Sequence, residues 1–203
     1  MLRSVLAMLM LSVSVSAIAQ NAEQTLQRKL AAIKTFSANF DQQVFDAQHN
    51  ILQQGKGELM IKQPALFRFE TTEPEPNLFI GDGQSLWFYN EVLEQLTIYD
   101  AASEVNRTPF VLLTSTKPEL WAQYDVSQQG EQFVIRSKDV DSPVKQLTLS
   151  FSAGALSNMT VLDINQQRSE FNFNLVQLNI ALEDSLFRFE PPAHTDIDDQ
   201  RPR

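Results

Sequence analysis

Two histidines, a few clustered acids and a close glycine pair are the groups in this 203-residue chain from which chemistry could be built. His49 falls in a predicted turn and His194 in the C-terminal tail. Neither sits in an H-x-x-x-H pattern or beside a nucleophile, so both read as surface residues. Asp139/Asp141 and Asp196/Asp198/Asp199 could offer carboxylates to calcium. The Gly and Glu that an EF-hand needs at set offsets are missing, and solvated charge is the commoner origin of such groups. Gly55-Lys56-Gly57 has no following helix to cradle a phosphate. The G-x-x-x-x-G-K-[ST] and G-x-S-x-G patterns are absent. With no cysteine, disulfides, thiolate metal sites, a cysteine nucleophile and acylation at an N-terminal cysteine are all excluded. No metal or cofactor is expected, and the chain reads as a binding protein, not an enzyme.

The chemistry that remains is apolar. LFRFE occurs twice, at Leu66–Glu70 and Leu186–Glu190. Within each copy, alternate residues are aromatic and charged: Phe67 and Phe69 against Arg68 and Glu70, then Phe187 and Phe189 against Arg188 and Glu190. The flanks IKQPA and ALEDS differ, so two strands made to one rule are expected instead of a duplication. Phe36/Phe40 and Phe171/Phe173 follow the same rule. There are 14 Phe but only 3 Tyr and 2 Trp, so the inner face should be wide, apolar and poor in hydrogen-bonding groups. Such a face suits either an ordinary core or an apolar cavity.

The elements that must carry these rings are legible in the periodicity. Residues 1–19 have one positive charge, Arg3, an apolar run from Val5 to Ile18, and small residues at Ala17 and Ala19. This is the pattern of a secretory signal cleaved after Ala19, and the run is shorter than a membrane span needs. Asn21 can cap a helix carrying Leu26, Leu30 and Ile33 on one stripe. From Phe36 the period changes to two, with a turn at Asp46–Asn50. A strand over Ile51–Ile61 follows, with Gly55 and Gly57 where a bend or bulge would fit. Further strands are expected at Leu66–Thr72, Asn77–Ile80, Ser85–Tyr89 (after a Gly81-Asp82-Gly83 hairpin signal) and Glu94–Tyr99. Six more follow at Tyr124–Gln128, Gln132–Arg136, Gln146–Phe151, Leu156–Asp163, Arg168–Leu178 and Leu186–Glu190. Asn106–Trp121 interrupts them. Thr108 can cap, Pro109 suits a first helical turn before Phe110–Leu113, and Thr116 to Trp121 could form a second short helix. Helices this short need a surface to lie on. The expected fold is mainly β with a few short α-helices: an unclosed antiparallel β-barrel with an α-helical lid over an apolar cavity.

Cleavage after Ala19 would leave a single domain over residues 20–203. Arg3 is the only charge lost, so the net charge would go from −9 to −10. That acidity argues against nucleic acid and anionic lipid surfaces as partners. Six Gly and nine Pro are too few for a disordered or fibrous chain.

With these elements in place the chain resembles the outer-membrane lipoprotein carrier (LolA) family over nearly its whole length. The resemblance rests on FSANFDQQVFD (Phe36–Asp46), QGKGELMIKQPALFRFE (Gln54–Glu70), LFIGDGQSLWFYN (Leu78–Asn90), NRTPFVLL (Asn106–Leu113) and the ending FRFEPP…DDQR. It implies a monomeric periplasmic chaperone without stable membrane insertion, with the acyl chains of lipoproteins as cargo. It further implies loading by the LolCDE ABC transporter of the inner membrane and delivery to the outer-membrane receptor LolB. By position, Phe67 would stand near the cavity mouth, and Leu59, Phe69 and Met159 would face inward. Phe36, Phe40 and Phe88 join them as expected lining. Phe110, Val111, Leu112 and Leu113 would form the lid helix, continued by Leu120 and Trp121. Leu112 and Leu113 are expected to pack onto Phe67, Phe69 and Met159 and to swing aside for lipid. The family arginine that would hydrogen-bond the lid backbone is here Gln63, a donor without charge and with shorter reach. A binding module for a free lipid or hydrophobic small molecule is the other function that these features fit.

Overall fold

Alternation along the strands sets the architecture. The computed structural model describes residues 14–101, 109–115 and 117–202. Its elements are a helix α1 (Ser14–Ala32), then strands β1 (Thr35–Phe45), β2 (Ile51–Lys62), β3 (Leu66–Glu73), β4 (Asn77–Asp82), β5 (Ser85–Asn90) and β6 (Gln95–Asp100). Two short helices follow, α2 (Pro109–Thr114) and α3 (Pro118–Trp121). The chain then adds β7 (Tyr124–Gln129), β8 (Gln132–Ser137), β9 (Val144–Ser152), β10 (Ala155–Asp163) and β11 (Arg168–Leu178). A single 3-10 turn (Asp184–Phe187) and a last strand, β12 (Asp196–Asp199), end it.

All the strands lie in one 12-stranded sheet, ordered β12-β6-β5-β4-β3-β2-β1-β11-β10-β9-β8-β7. Every pairing is antiparallel except β12 on β6. The two ends, β12 and β7, do not pair, so the barrel stays open. One apolar cluster gathers side chains from the β5–β6 side, such as Leu86 and Tyr99, and from the β7–β8 side, such as Val126 and Phe133. The sheet therefore curls around it. Helix α1 closes the β7 side: its Ala22, Leu26 and Leu30, with Ile33 just after it, enter the same cluster, and Lys29 pairs with Glu131 at 2.7 Å.

Two glycines make room for the rings inside. Phe40 lies opposite Gly57, and Phe67 opposite Gly81, on neighbouring strands. A Cβ on Gly81 would sit 2.3 Å from the Phe67 ring, and one on Gly57 would sit 1.9 Å from the Glu70 carbonyl and 2.5 Å from the Phe40 ring. Each ring thus occupies the space that a side chain across the ladder would need. The β2–β3 register also shifts between Lys56 and Gly57, at the bend expected from the glycines. Gly81, expected in a turn, belongs to β4 instead. The turn lies one step on, at Gly83 with φ +92°, where Asp82 accepts hydrogen bonds from the Gln84 and Ser85 amides.

The structure corrects the sequence reading at the second LFRFE. Leu186–Glu190 is not a strand: the 3-10 turn takes Leu186 and Phe187, and the chain then runs irregularly to Pro191. Its rings serve the outer face of the sheet. Phe187 is buried, and Phe189 packs on Tyr89 at 5.0 Å beside Leu96 and Ile98. β4–β6 therefore have apolar residues on both faces, and alternation in a segment cannot say whether it joins a sheet or covers one. Lys62 pins this segment by donating to the Leu182 carbonyl and to Asp184, both at 2.6 Å. That contact holds the Asp184 carboxyl below its ordinary value. β12 was not expected; Arg201 anchors it, with its guanidinium over the Trp87 ring at 5.9 Å. A smaller correction concerns Asn21, which lies inside α1 because the helix runs back to Ser14. Residues 1–13, Thr108 and Thr116, and the side chain of Phe110, lie outside the described residues.

Gly57→Ala is expected to lower stability by about 2 kcal/mol or more, because both clashing groups belong to a packed ladder and ring. Thermal or urea denaturation measures this; an unchanged midpoint would show that the ring and ladder can yield.

Candidate functional site

The concave face is paved with rings. Phe40 stacks on Phe69 with centroids 4.7 Å apart and planes within 5°. Phe171 meets both edge-on, at 5.5 and 5.7 Å. Phe67 meets Phe79 at 5.3 Å, and Phe79 meets Phe88 at 6.1 Å. Phe36 and Phe173 pair at 5.5 Å. Leu59 and Met159 fill between these rings and are fully buried. T-shaped and offset ring pairs contribute about 0.5–1.5 kcal/mol each beyond their burial.

Helices α2 and α3 lie across one end of this floor. Leu112 and Leu113 are 2% exposed and Trp121 1%, all within the cluster that contains Phe67. Val111 packs against it half-buried. The Trp121 indole of α3 donates to the Ser115 carbonyl just after α2 at 3.1 Å, and within α2 the Thr114 hydroxyl donates to the Val111 carbonyl at 3.2 Å. Gln63 ties them to the strands. Gln63 follows β2, with its amide bonded to the Lys34 carbonyl, and its Nε2 donates to the Leu113 carbonyl at 3.2 Å. Its Oε1 is buried without a partner among the described residues.

Clefts open from this arrangement among the described residues, three of which bear on the site. At the end away from α2, a cleft of 380 Å³ is walled by Phe69, Phe79, Phe88 and Phe171 and rimmed by Gln42, Gln53 and Asn77. A second, of 440 Å³, separates α1 from the α2–α3 pair. A third, of 500 Å³, lies between α2–α3 and the near ends of β3 and β5, beside Phe67 and Leu86. The polar residues buried among the described ones are hydroxyl-bearing: Thr35, Ser37, Ser85, Thr114, Ser142 and Thr148. Burial pushes the Tyr124 phenol above its ordinary value. Among the described residues no three His, Asp or Glu stand where they could hold a metal. What such a surface can do is take apolar groups out of water.

Most of the lining expected from sequence meets in one place: Phe36, Phe40, Leu59, Phe67, Met159, Leu112, Leu113 and Trp121 share the cluster, with Phe69 packed against it. Phe88 stands at the rim of the far cleft, 37% exposed. Leu120 lines the third cleft half-buried. Phe79 was not singled out, although it is the ring that links Phe67 to Phe88. Its position two residues before Gly81 would have aligned it with Phe69, had the register been known. The β8–β9 wall, with Phe133, Ile135, Leu147 and Leu149, was also missed, although these residues alternate cleanly along their strands.

Known proteins share both sequence and shape with this chain. Residues 31–190 match the family model described as outer membrane lipoprotein carrier protein LolA. The outer-membrane lipoprotein carrier protein of Photobacterium profundum is 36% identical over 187 residues, which span 92% of this chain and 93% of that protein. That of Pseudoalteromonas translucida is 38% identical over 180 residues, covering 87% and 86%. Among solved structures, an uncharacterized conserved protein from Thermus thermophilus superposes with a TM-score of 0.54 at 15% identity, covering 89% of this chain and 99% of that one. A LolA superfamily protein from Nitrosomonas europaea gives 0.50 at 12% identity, covering 83% and 98%. The structural likenesses speak to the fold alone, whereas the family match and the curated relatives span most of the sequence. The curved open sheet, its ring-paved inner face and its helical cover are thus those of a chain that belongs to the outer-membrane lipoprotein carrier (LolA) family.

Proposed function

We propose that the protein is a non-enzymatic periplasmic carrier that shields the acyl chains of lipoproteins between the inner and outer membranes. It takes them from an inner-membrane LolCDE transporter and gives them to the outer-membrane receptor LolB. The observation that carries this reading is the shared cluster of lid and floor: Leu112, Leu113 and Trp121 cover rings that lie on a different part of the chain. The described residues contain no helix long and apolar enough to cross a membrane. The cargo site comprises the concave rings and the lid residues, including Phe110. Moving the lid frees apolar area for a guest without breaking a sheet pairing.

Magnitudes favour a loose site. Burying an acyl chain is worth ~0.8 kcal/mol per CH₂, so three long chains amount to on the order of 30–40 kcal/mol. Noncovalent affinity levels off near roughly −20 kcal/mol. A carrier needs only enough shielding to keep the lipid soluble, and must yield it again. Short helices over rings, with clefts already open beside them, meet both needs.

Mass spectrometry of the protein recovered from the periplasm tests the assignment. A lipid-linked polypeptide is expected; a free lipid in its place would favour a small-lipid binding module. Phe67→Glu sets a carboxylate where Leu86, Phe79 and the lid converge and should reduce lipoprotein pickup more than tenfold, with circular dichroism unchanged. Normal pickup by that variant would count against the site. Trp121→Ala removes the largest lid side chain, a loss typically of about 3–5 kcal/mol of packing. Fluorescence of a hydrophobic dye should rise several-fold in the cargo-free protein while the β signal persists. A dye response equal to wild type would mean that the lid is not the gate.

A further inference from the structure

The cleft at the end away from α2 needs no lid. Its walls come from β1–β5 and β9–β11, and no residue of α1, α2 or α3 lines it. Phe69, Phe79, Phe88 and Phe171 are its apolar sides. Its 380 Å³ matches an alkyl chain of about a dozen carbons, each filling roughly the volume of one liquid water.

The mouth carries hydrogen-bonding groups but no charge. Gln42, Gln53, Thr71, Asn77 and Ser169 are its polar lining, and none is ionisable. Thr71 and Asn77 are engaged in the β3–β4 turn, where the Thr71 hydroxyl and the Asn77 side-chain amide both donate to the Glu75 carbonyl, at 3.0 and 3.1 Å. The side-chain amides of Gln42 and Gln53 bond no other group among the described residues, so each keeps donors and an acceptor. The cations that flank lining residues along the chain are held elsewhere. Arg68 pairs with Glu70, Lys56 with Glu73 and Arg168 with Glu170, while Lys145 donates to the Val140 carbonyl. A carboxylate seated at this mouth would lose water and meet no cation, which makes its burial costly. An ester or amide loses less, because the two glutamines can donate to its carbonyl and accept from its hydroxyl or N–H.

We propose that this cleft is a second binding site, accessible while the lid is shut, for a single alkyl chain that ends in an uncharged ester or amide head. It selects neutral single-chain lipids against fatty acids of the same length. Such chains occur both as free monoacyl lipids and as the acyl arms of a lipoprotein, and the two sources behave differently in competition.

Calorimetric titration of the purified protein with monolaurin and with laurate, at a pH where laurate is ionised, measures the preference. Wild type should bind monolaurin roughly tenfold more tightly than laurate, since only laurate brings an unpaired charge. Phe88→Glu places a carboxylate on the part-exposed rim and should weaken monolaurin about tenfold with circular dichroism unchanged. Gln53→Lys, at an exposed position, supplies the missing cation and should raise laurate to the affinity of monolaurin. Equal affinities in wild type, monolaurin binding unmoved by Phe88→Glu, or laurate binding unmoved by Gln53→Lys overturns the proposal. In a Trp87→Phe background, the emission of buried Trp121 reports on the lid. It should stay unshifted when monolaurin saturates the protein; a red shift overturns entry at the open end. A triacylated lipopeptide added to the monolaurin complex then identifies the source. Displacement of monolaurin assigns the cleft to one arm of the cargo, and simultaneous binding assigns it to a free lipid. A wild type that discriminates in this way yet takes up no lipopeptide would overturn the carrier reading and leave the cleft standing.

Discussion

An open sheet cannot hide its own concave face. Closing the barrel would bury the rings permanently, and leaving it bare would expose an apolar patch of the kind that drives aggregation. Here β7 and β12 remain unpaired with each other, so the interior must be covered by something outside the ladder. The cover consists of α1 on one side and α2–α3 on the other, both contributing to the same cluster. Helices α2 and α3 are six and four residues long. Helices of that length have no stability of their own in water. Their hold on the sheet is therefore nearly all tertiary, and a competing apolar guest would act on the interaction that seats them.

The curvature that makes the inner face concave depends on the glycines opposite the rings. Phe40 across from Gly57 and Phe67 across from Gly81 let two aromatic groups lie over neighbouring strands instead of standing clear of them. This keeps the floor low and aromatic. Phe69, Phe79 and Phe88 continue it toward the far cleft, where polar amides replace the lid as the boundary. The interior is thus a gutter, lidded at one end and open at the other, and not a sealed chamber.

The inner face was readable from residue types because alternation is a local property. Phe36, Phe40, Phe67 and Phe69 declare their side of the sheet within a few residues, and the PFVLL run declares a helix that needs a partner. What could not be read were facts set by pairing between distant segments. Phe79 joins the floor because β4 aligns with β3, and Phe133 and Leu149 join because β8 and β9 pair so as to turn both into the same cluster. The second LFRFE failed for a related reason. Its alternation satisfies an outer apolar face on β4–β6 that the sequence offers no means to foresee, since Leu78, Trp87 and Tyr89 alternate with equally apolar inward neighbours. Position 63 was recognised by resemblance, but the direction of its amide follows from which atom of the lid lies within reach.

A neutral latch changes what holds the lid. A hydrogen bond between uncharged partners contributes about 0.5–1.5 kcal/mol net, against roughly 1.5–3 when one partner is charged. Gln63 to the Leu113 carbonyl belongs to the weaker class. Leu112, Leu113 and Trp121 are each nearly fully buried, and burial of such side chains is worth about 1.5–3 kcal/mol apiece. Apolar contact therefore outweighs the polar tie by several-fold. On the proposed carrier reading, a lid held in this way would open in response to the same hydrophobic drive that brings an acyl chain inside. The guest would replace the contacts that the lid gives up, so that loading and closing would compete for one surface.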